Sequence, residues 1–358
     1  MVNGIQKMAS RKGYKVNLYE RCAGLLSDSP AASTVIVVGS ESSRTPRILQ
    51  DLKKAQWQIV VTNVDADHID AHYSCATFSR RIITEQMLDH LLDKGCRRIA
   101  MVGLGQRSFN DMVHQDAMAQ YLLKYPYAEG ACFEYQKRID ESFNAFYAMR
   151  DGFDAVVCPN AFVAVAFLHF CEEKGIVVPN DLLVACMKDH SIGRYCKPSL
   201  TSLAVDFFAI GEQSVIVWQY LQEEGNERFR MRIAIQGHVI ERESTGTALG
   251  EGAQSLANDG TLDGKYEGGP FYTDPELQAL MSLERCLQNC DELDLRIIRL
   301  LLDGEHYDAI SEQLYLGDSS LQYRVRKIFH SAQTKSRDEF IRLMRNSFTR
   351  NTHFGEEE

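Results

Sequence analysis

Two rhythms divide the chain. From residue 1 to 246, short β-branched runs alternate with amphipathic stretches, the pattern of parallel strands joined by crossover helices. The strand-like runs are Tyr14 to Tyr19, Thr34 to Gly39, Gln58 to Val64, Arg98 to Val102, Ala131 to Tyr135, Asp154 to Cys158 and Leu182 to Met187. Helical periodicity lies between them, at Phe78 to Lys94 closed by Gly95, Ile139 to Arg150, Asn160 to Lys174 closed by Gly175, and Phe207 to Glu224 closed by Gly225. Seven parallel strands with covering helices predict two sheets. The connection between the first two runs is short, close to the dozen-residue minimum for a parallel crossover.

After Gly246 the rhythm breaks. Residues 247–272 hold Gly250, Gly252, Gly260, Gly264, Gly268, Gly269 and Pro270, the composition of a flexible linker that releases the C-terminal segment from the core. Thr273-Asp-Pro-Glu276 then reads as a capping box, opening a helix with the stripe Leu280, Leu283, Leu287 and Cys290. That stripe either packs on the helices C-terminal to it or pairs with a second copy.

From Leu293 to Phe348 the periodicity predicts four short helices. The first places Leu293, Ile297, Leu300 and Leu301 on one face and stops at Gly304. The second, His306 to Leu316, turns Ile310 and Leu314 inward and ends at Gly317-Asp318, where Ser319 or Asp318 can cap the next. The third, Ser319 to His330, buries Leu321, Val325 and Ile328 and turns Ser319, Gln322, Tyr323, Arg326 and Lys327 outward. Two helices on a tight turn, the second polar and basic, suit insertion into the major groove of double-stranded DNA.

Charge sharpens this picture. The whole chain carries a net charge of -10, so any affinity for DNA must be local. From Asp291 to Asp318 there are eight acids against two arginines, whereas from Ser319 to Arg350 there are eight bases against two acids. The resulting DNA-contact candidates are Ser319, Ser320, Gln322, Tyr323, Arg324, Arg326, Lys327 and Arg337. The ten cysteines show no Cys-x-x-Cys spacing, which predicts buried free thiols in a reducing cytoplasm. No apolar run approaches the roughly 20 residues of a membrane span and no signal peptide precedes the fold, so no membrane partner is expected.

Other signals carry bland readings. Asp65, Asp67, His68, Asp70 and His72 fit neither a calcium loop nor a zinc pair and predict a solvated loop. Gly103-Leu-Gly105 lacks the third glycine of a dinucleotide fingerprint and reads as a strand-end turn. Cys286 and Cys290, one helical turn apart without histidine partners, read as packing. With no nucleophile and base in a recognisable order, neither an enzyme, a metal nor a cofactor is expected.

Several segments, in this order, resemble the ligand-binding core of the LacI/GalR repressor family: Gly4-Ile5 with Gly13-Tyr14, Leu91 to Ala100, Asp154 to Asn160, Gly175 to Ala185, Pro198 to Leu203, Ile210-Gly211 and Glu241 to Gly246. The resemblance implies the α/β fold of two-lobe periplasmic binding proteins over residues 1–246. Lobe 1 would take about 1–75 and 206–231, lobe 2 about 76–205 and 232–246, with a small-molecule effector between them and lobes paired side by side in a homodimer. The family begins with a strand ahead of its first helix, and this chain opens inside that helix at Met1-Val-Asn-Gly4, so a central strand of the first sheet is expected to be lacking and the first lobe to be the less stable.

The ligand residues of that family are only partly matched. Asn160-Ala161 stands where relatives carry Asn-Asp, Cys186-Met187-Lys188 stands for Gly-aromatic-Asp, and Asn110 or Asp111 stands for an arginine. The bidentate sugar clamp is largely absent. Asn110, Asn160, Lys188, Asp189 and Asp206 are the remaining ligand candidates, and Lys188 in place of an acid favours an anionic ligand.

The order of Gly304, Ile310, Leu314, Leu321, Ile328 and Ser336-Arg337 resembles the C-terminal helix-turn-helix of the LuxR/GerE regulators. Departures are Ala309-Ile310-Ser311 for Glu-Ile-Ala, Ser320-Leu321 for Thr-Val, and Ser331-Ala332-Gln333 for Lys-Leu-Gly. Together the resemblances imply a cytoplasmic, dimeric transcriptional regulator with an all-α DNA-binding domain at 273–350 and an acidic tail at 351–358. The rival expectation is a ligand-independent dimeric scaffold, or a DNA-binding protein with a degenerate sensor core.

Overall fold

The computed structural model describes residues 1–19, 22–27, 34–39, 44–64, 73–106, 108–223, 229–246 and 270–348. Residues 65–72, Gly225, the linker residues 247–269, Arg350 and the tail 351–358 lie outside them. The chain opens with α1 (Val2–Arg11), α2 (Cys22–Ser27), β1 (Thr34–Val38), α3 (Arg44–Lys54), β2 (Gln58–Thr62), β3 (Ser74–Thr77) and α4 (Arg80–Asp93). It continues through β4 (Arg98–Gly105), α5 (Phe109–Lys124), β5 (Glu129–Tyr135), α6 (Asp140–Tyr147), β6 (Ala155–Cys158), α7 (Ala161–Lys174), β7 (Leu183–Cys186), α8 (Ser191–Tyr195), β8 (Thr201–Ala204), α9 (Phe207–Leu221), β9 (Arg232–Ala234) and β10 (His238–Ile240). The C-terminal helices are α10 (Pro270–Thr273), α11 (Pro275–Gln288), α12 (Glu292–Leu302), α13 (Tyr307–Leu314), α14 (Asp318–Ser331) and α15 (Arg337–Ser347).

Two compact units result, one from Met1–Gln86 with Ala204–His238, the other from Met87–Leu203 with residues 239–246 and the C-terminal helices. The chain passes between them after Gln86, Leu203 and His238, where the sequence suggested 75/76, 205/206 and 231/232.

The first unit holds a parallel sheet of order β1-β2-β3-β9, in register at Val35↔Ile59, Val60↔Ser74 and Cys75↔Arg232. Its apolar core gathers Leu49, Leu52, Ile59, Val61 and Cys75. Helices α1 and α9 touch through glycines, because a Cβ on Gly4 would strike the Phe208 carbonyl and one on Gly211 the Met1 carbonyl. The predicted strand Tyr14 to Tyr19 does not form. Its alternating apolar residues look strand-like, yet they follow the left-handed Gly13, pair with no strand among the described residues and are mostly exposed. Tyr14 instead sets its ring edge-on to Trp218, 4.8 Å between centroids. The sheet takes β3 and β9 instead, both too short to stand out in the sequence.

The second unit holds a six-stranded sheet of order β10-β8-β7-β6-β4-β5. The predicted runs at β4, β5, β6 and β7 all form, and β8 and β10 extend the sheet. Asn160 caps α7 by accepting from the Val163 N–H, and Gly175 closes it at a φ of 69°. Residues 161–168 of α7 are buried on every side, which a helix on a sheet surface requires only if something covers it again. That cover is α11, which packs on α7 and α8 with one face and on α14 and α15 with the other. Leu280, Leu283 and Leu287 are buried, together with Leu277, Met281 and Cys286. One apolar core therefore runs from Phe143, Phe146 and Phe167 to Leu283, Ile297, Ile328 and Phe340.

The C-terminal helices form much as their periodicity predicts, with differences at the ends. Asp291 and Asp294 make a capping box at α12, and Gly304 closes that helix at a φ of 91°. Helix α13 ends at Tyr315, left-handed at a φ of 53°, rather than at Gly317. Neither Asp318 nor Ser319 caps α14: Gly317 takes that position without a side-chain bond, and Asp318 starts the helix.

Candidate functional site

Helices α13 and α14, joined by residues 315–317, present one buried and one open face. Ile310, Leu321, Val325 and Ile328 point into the core. Ser319, Ser320, Gln322, Tyr323 and Arg326 are exposed together on α14. Tyr323 is 71% exposed, and Tyr315, in the turn before the helix, is 96% exposed. Large aromatic surface is rarely left so open on a polar face, and a tyrosine there offers both a stacking ring and a hydroxyl. Tyr315 escaped the sequence reading because it falls after the last inward residue of α13; its lack of an apolar partner at helical spacing was the available signal.

Three of the predicted DNA contacts are held by the protein itself. Arg324 Nη1 lies 2.8 Å from Asp291 Oδ2 and 2.6 Å from Asp294 Oδ1, while Lys327 Nζ lies 2.8 Å from Asp294 Oδ2. The Arg324 hydrogen bond holds the Asp291 carboxyl below its ordinary value, and the bond to Asp294 raises Lys327. Arg337 donates to the Leu301 carbonyl at 3.4 Å and lies over the Tyr307 ring. The acids before residue 319 thus neutralise part of the basic run after it, and Arg326 is the predicted cation that stays on the exposed face.

The predicted ligand residues have varied positions. Asn160 and Asp206 cap α7 and α9, accepting from the Val163 and Ala209 N–H groups at 3.1 and 2.8 Å. Asp189 is 3% exposed and sits 2.8 Å from Arg242, itself 4% exposed, and 3.7 Å from Arg194; it also accepts from Ser202 Oγ at 2.6 Å. Burial pushes the Asp189 carboxyl up, but Arg242, Ser202 and Arg194 outweigh it and the net effect is below the ordinary value. These three side chains serve the fold. Lys188 is half-buried in the loop after β7, next to that ion pair. Asn110 lies in the first turn of α5, and among the described residues its Oδ1 is buried without a hydrogen-bond partner; the neighbouring Asp111 accepts from the Gly105 N–H at 2.7 Å.

The loop after β7 also meets the C-terminal helices, which sequence reasoning missed. Glu284 of α11 is fully buried and accepts from the Ser191 and Ile192 N–H groups at 3.0 and 2.8 Å. Burial raises its carboxyl above the ordinary value, although those N–H groups, the Gln288 amide and Lys188 act the other way. His190 packs its ring on Phe162, 4.4 Å between centroids, and burial holds its imidazole well below the ordinary value. Elsewhere on the C-terminal segment, Asp274 accepts from the Ile139 N–H at 3.3 Å and Glu276 meets His169 at 3.3 Å. An acidic residue inside the apolar stripe Leu280, Leu283, Leu287 was the one available hint of Glu284.

Among the described residues no helix is long and apolar enough to cross a membrane. Comparison with known proteins places a periplasmic binding protein-like domain at residues 88–245. Curated relatives are transcriptional regulators: the HTH-type transcriptional regulator GntR of Escherichia coli K12, 25% identical over 56% of this chain and 60% of its own, and catabolite control protein A of Staphylococcus xylosus, 21% identical over 48% and 53%. The chain thus spans little more than half the length of either. Among solved structures, a transcription regulator from Lactobacillus plantarum superposes with a TM-score of 0.56 at 21% identity, covering 69% of this chain and 94% of that one. Regulator CcpA of Lactococcus lactis gives 0.53 at 20% identity, over 68% and 92%. The fold is therefore the two-lobe periplasmic-binding-protein-like arrangement of parallel sheets and helices, extended here by a C-terminal helical region.

Proposed function

We propose that this chain is a DNA-binding transcriptional regulator in which a periplasmic-binding-protein-like core senses a small molecule and a C-terminal helix-turn-helix of LuxR/GerE type reads double-stranded DNA. The observation that carries the reading is the open face of α14, where Ser319, Ser320, Gln322, Tyr323 and Arg326 stand together on a helix whose other side is fixed in the core. A rigid helix with polar tips and one exposed arginine is the element that major-groove recognition needs. The relatives being regulators supports it. Such a protein works in the cytoplasm, where the DNA is, and as a homodimer, since one such unit covers too little surface for tight specific binding.

Within the core, Lys188 and Asn110 are the residues we assign to the effector. A lysine where sugar-binding relatives place an acid selects an anion, for which it supplies a single charged donor. The rival, a core that is a dimeric scaffold without effector, draws on the structural duties of Asn160, Asp189 and Asp206. A gel-shift series on the promoter of its own operon, with and without anionic metabolites, tests both. Retardation that an anion modulates supports the sensor; retardation that none modulates favours the scaffold; no binding at low salt sinks the regulator.

A further inference from the structure

The loop after β7 is tied at two ends by different parts of the chain. At its start the Met187 N–H bonds to the Cys158 carbonyl at 3.0 Å and the Asp189 N–H to the Leu203 carbonyl at 3.1 Å, both within the sheet. At its end the Ser191 and Ile192 N–H groups bond to the two oxygens of Glu284, and Glu284 belongs to α11. Gln288, one turn on, donates to Glu284 Oε1 at 2.9 Å and fixes the side chain. Along the same helix, the Cys286 thiol points at the Ile328 carbonyl of α14 at 3.5 Å, and α11 packs along α14. A continuous chain of directional bonds and close packing thus joins Lys188 to the helix that carries Tyr323 and Arg326.

We infer that Glu284 is the positioning residue through which the state of the loop at Lys188 sets the placement of α14. This rests on the reading of Lys188 as an effector contact. The physical ground is that a fully buried carboxylate cannot stay behind when its donors move: the bonds are short and angle-dependent, and the side chain is shut off from bulk solvent. A displaced loop therefore either carries α11 with it or leaves a charge unpartnered in an apolar core. Because α11 lies between the sheet helices and α14, its shift reaches the reading face without passing through residues 247–269. The signal runs through a packed core with two-ended directional bonds, the kind of contiguous network that transmits coupling.

The test uses the full chain and no ligand: Lys188→Met serves as the perturbation, in the wild-type and in the Glu284→Met background, with hydrogen exchange read amide by amide. We expect Lys188→Met to change exchange across Leu321 to Ile328 by roughly threefold or more when Glu284 is present and to leave it unchanged when Glu284 is replaced. Amides of β4 should stay constant in all four proteins, which separates coupling from general loosening. An equal response in both backgrounds, or none in either, overturns the inference. Should Glu284→Met fail to fold, Glu284→Gln, which keeps one acceptor oxygen and the same volume, should give an intermediate response; a full response there also overturns it. Binding of the same proteins to a random duplex at low salt is measured alongside. Absence of binding rejects the DNA-reading assignment, while the exchange data still decide the coupling.

Discussion

Two ionic clusters in the second unit use the same chemistry to opposite effect. In one, Asp189 meets Arg242 and Arg194 under cover, with the carboxylate and Arg242 almost wholly withdrawn from water. In the other, Asp291 and Asp294 hold Arg324 and Lys327 at the edge of α14, where only Asp294 is buried. The first cluster cannot exchange partners without exposing a bare charge to an apolar interior. The second can, because water and salt already reach three of its four members. Burial, rather than residue type, decides which charged group belongs to the fold and which stays available to a ligand.

The sharpest way to break this contrast is to remove one partner from each cluster. Arg242→Ala takes from the buried Asp189 its closest cation, leaving Arg194 at 3.7 Å and the Ser202 hydroxyl, which costs about 3–5 kcal/mol of stability, seen as a lower urea midpoint. Arg324→Ala should cost at most about 1 kcal/mol, because its pair with the exposed Asp291 is screened and the buried Asp294 keeps Lys327. Similar losses from both would show that the two clusters do not differ as described. On DNA the order reverses: Arg326→Ala should weaken binding by about 1–3 kcal/mol if it meets a base edge, and Arg324→Ala by less, measured by anisotropy on a labelled duplex. Asp291→Ala removes the cap of α12 and should cost about 1 kcal/mol, with a melting curve as the check.

Acid titration gives the smallest and most specific effect. The folded carboxyl of Asp189 lies below its unfolded value of 3.8, so its contribution is complete above that pH and fades as the pH falls through the lower folded value. Glu284 behaves in the opposite sense: its folded value lies above 4.5, so its contribution is complete below that pH and is lost as the pH rises through the folded value. Melting curves of Asp189→Asn and Glu284→Gln should therefore both approach wild type as the pH falls, where the wild-type acids are neutral like the amides, and separate from it with opposite signs as the pH rises: wild type gains on Asp189→Asn and loses ground to Glu284→Gln. Divergence of the same sign for both variants would show that one of the two environments has been misread.

Much of this architecture was legible from periodicity alone. Strands β4, β6 and β7 are largely apolar runs, β5 turns Phe133 and Tyr135 inward in alternation, and α12 to α15 repeat their inward residues at helical spacing, so local pattern and final structure agree. Strands β3, β8, β9 and β10 were not legible, because three or four residues become a strand only when a neighbour supplies the ladder. The run Tyr14 to Tyr19 erred the other way, with alternation but no neighbour. At the site, the exposed residues of α14 followed from spacing, whereas the fate of Arg324 and Lys327 depended on acids 33 and 30 residues earlier that tertiary packing brings near. Asp189 looked like a ligand contact for the same reason: nothing local betrays its partner Arg242.

One clue in the sequence went unused, the run Ala-Phe-Val-Ala-Val-Ala-Phe-Leu of α7, which has no polar side to offer the solvent. Its cover, α11, is made about a hundred residues later, roughly 5–20 s of synthesis at ordinary rates. Through that interval the emerging sheet carries an apolar helix without its cover, and the second unit reaches its final form only once α11 has been made. A gene fragment stopping in the glycine-rich stretch would yield a half-covered intermediate, prone to aggregate, in place of a free-standing sensor.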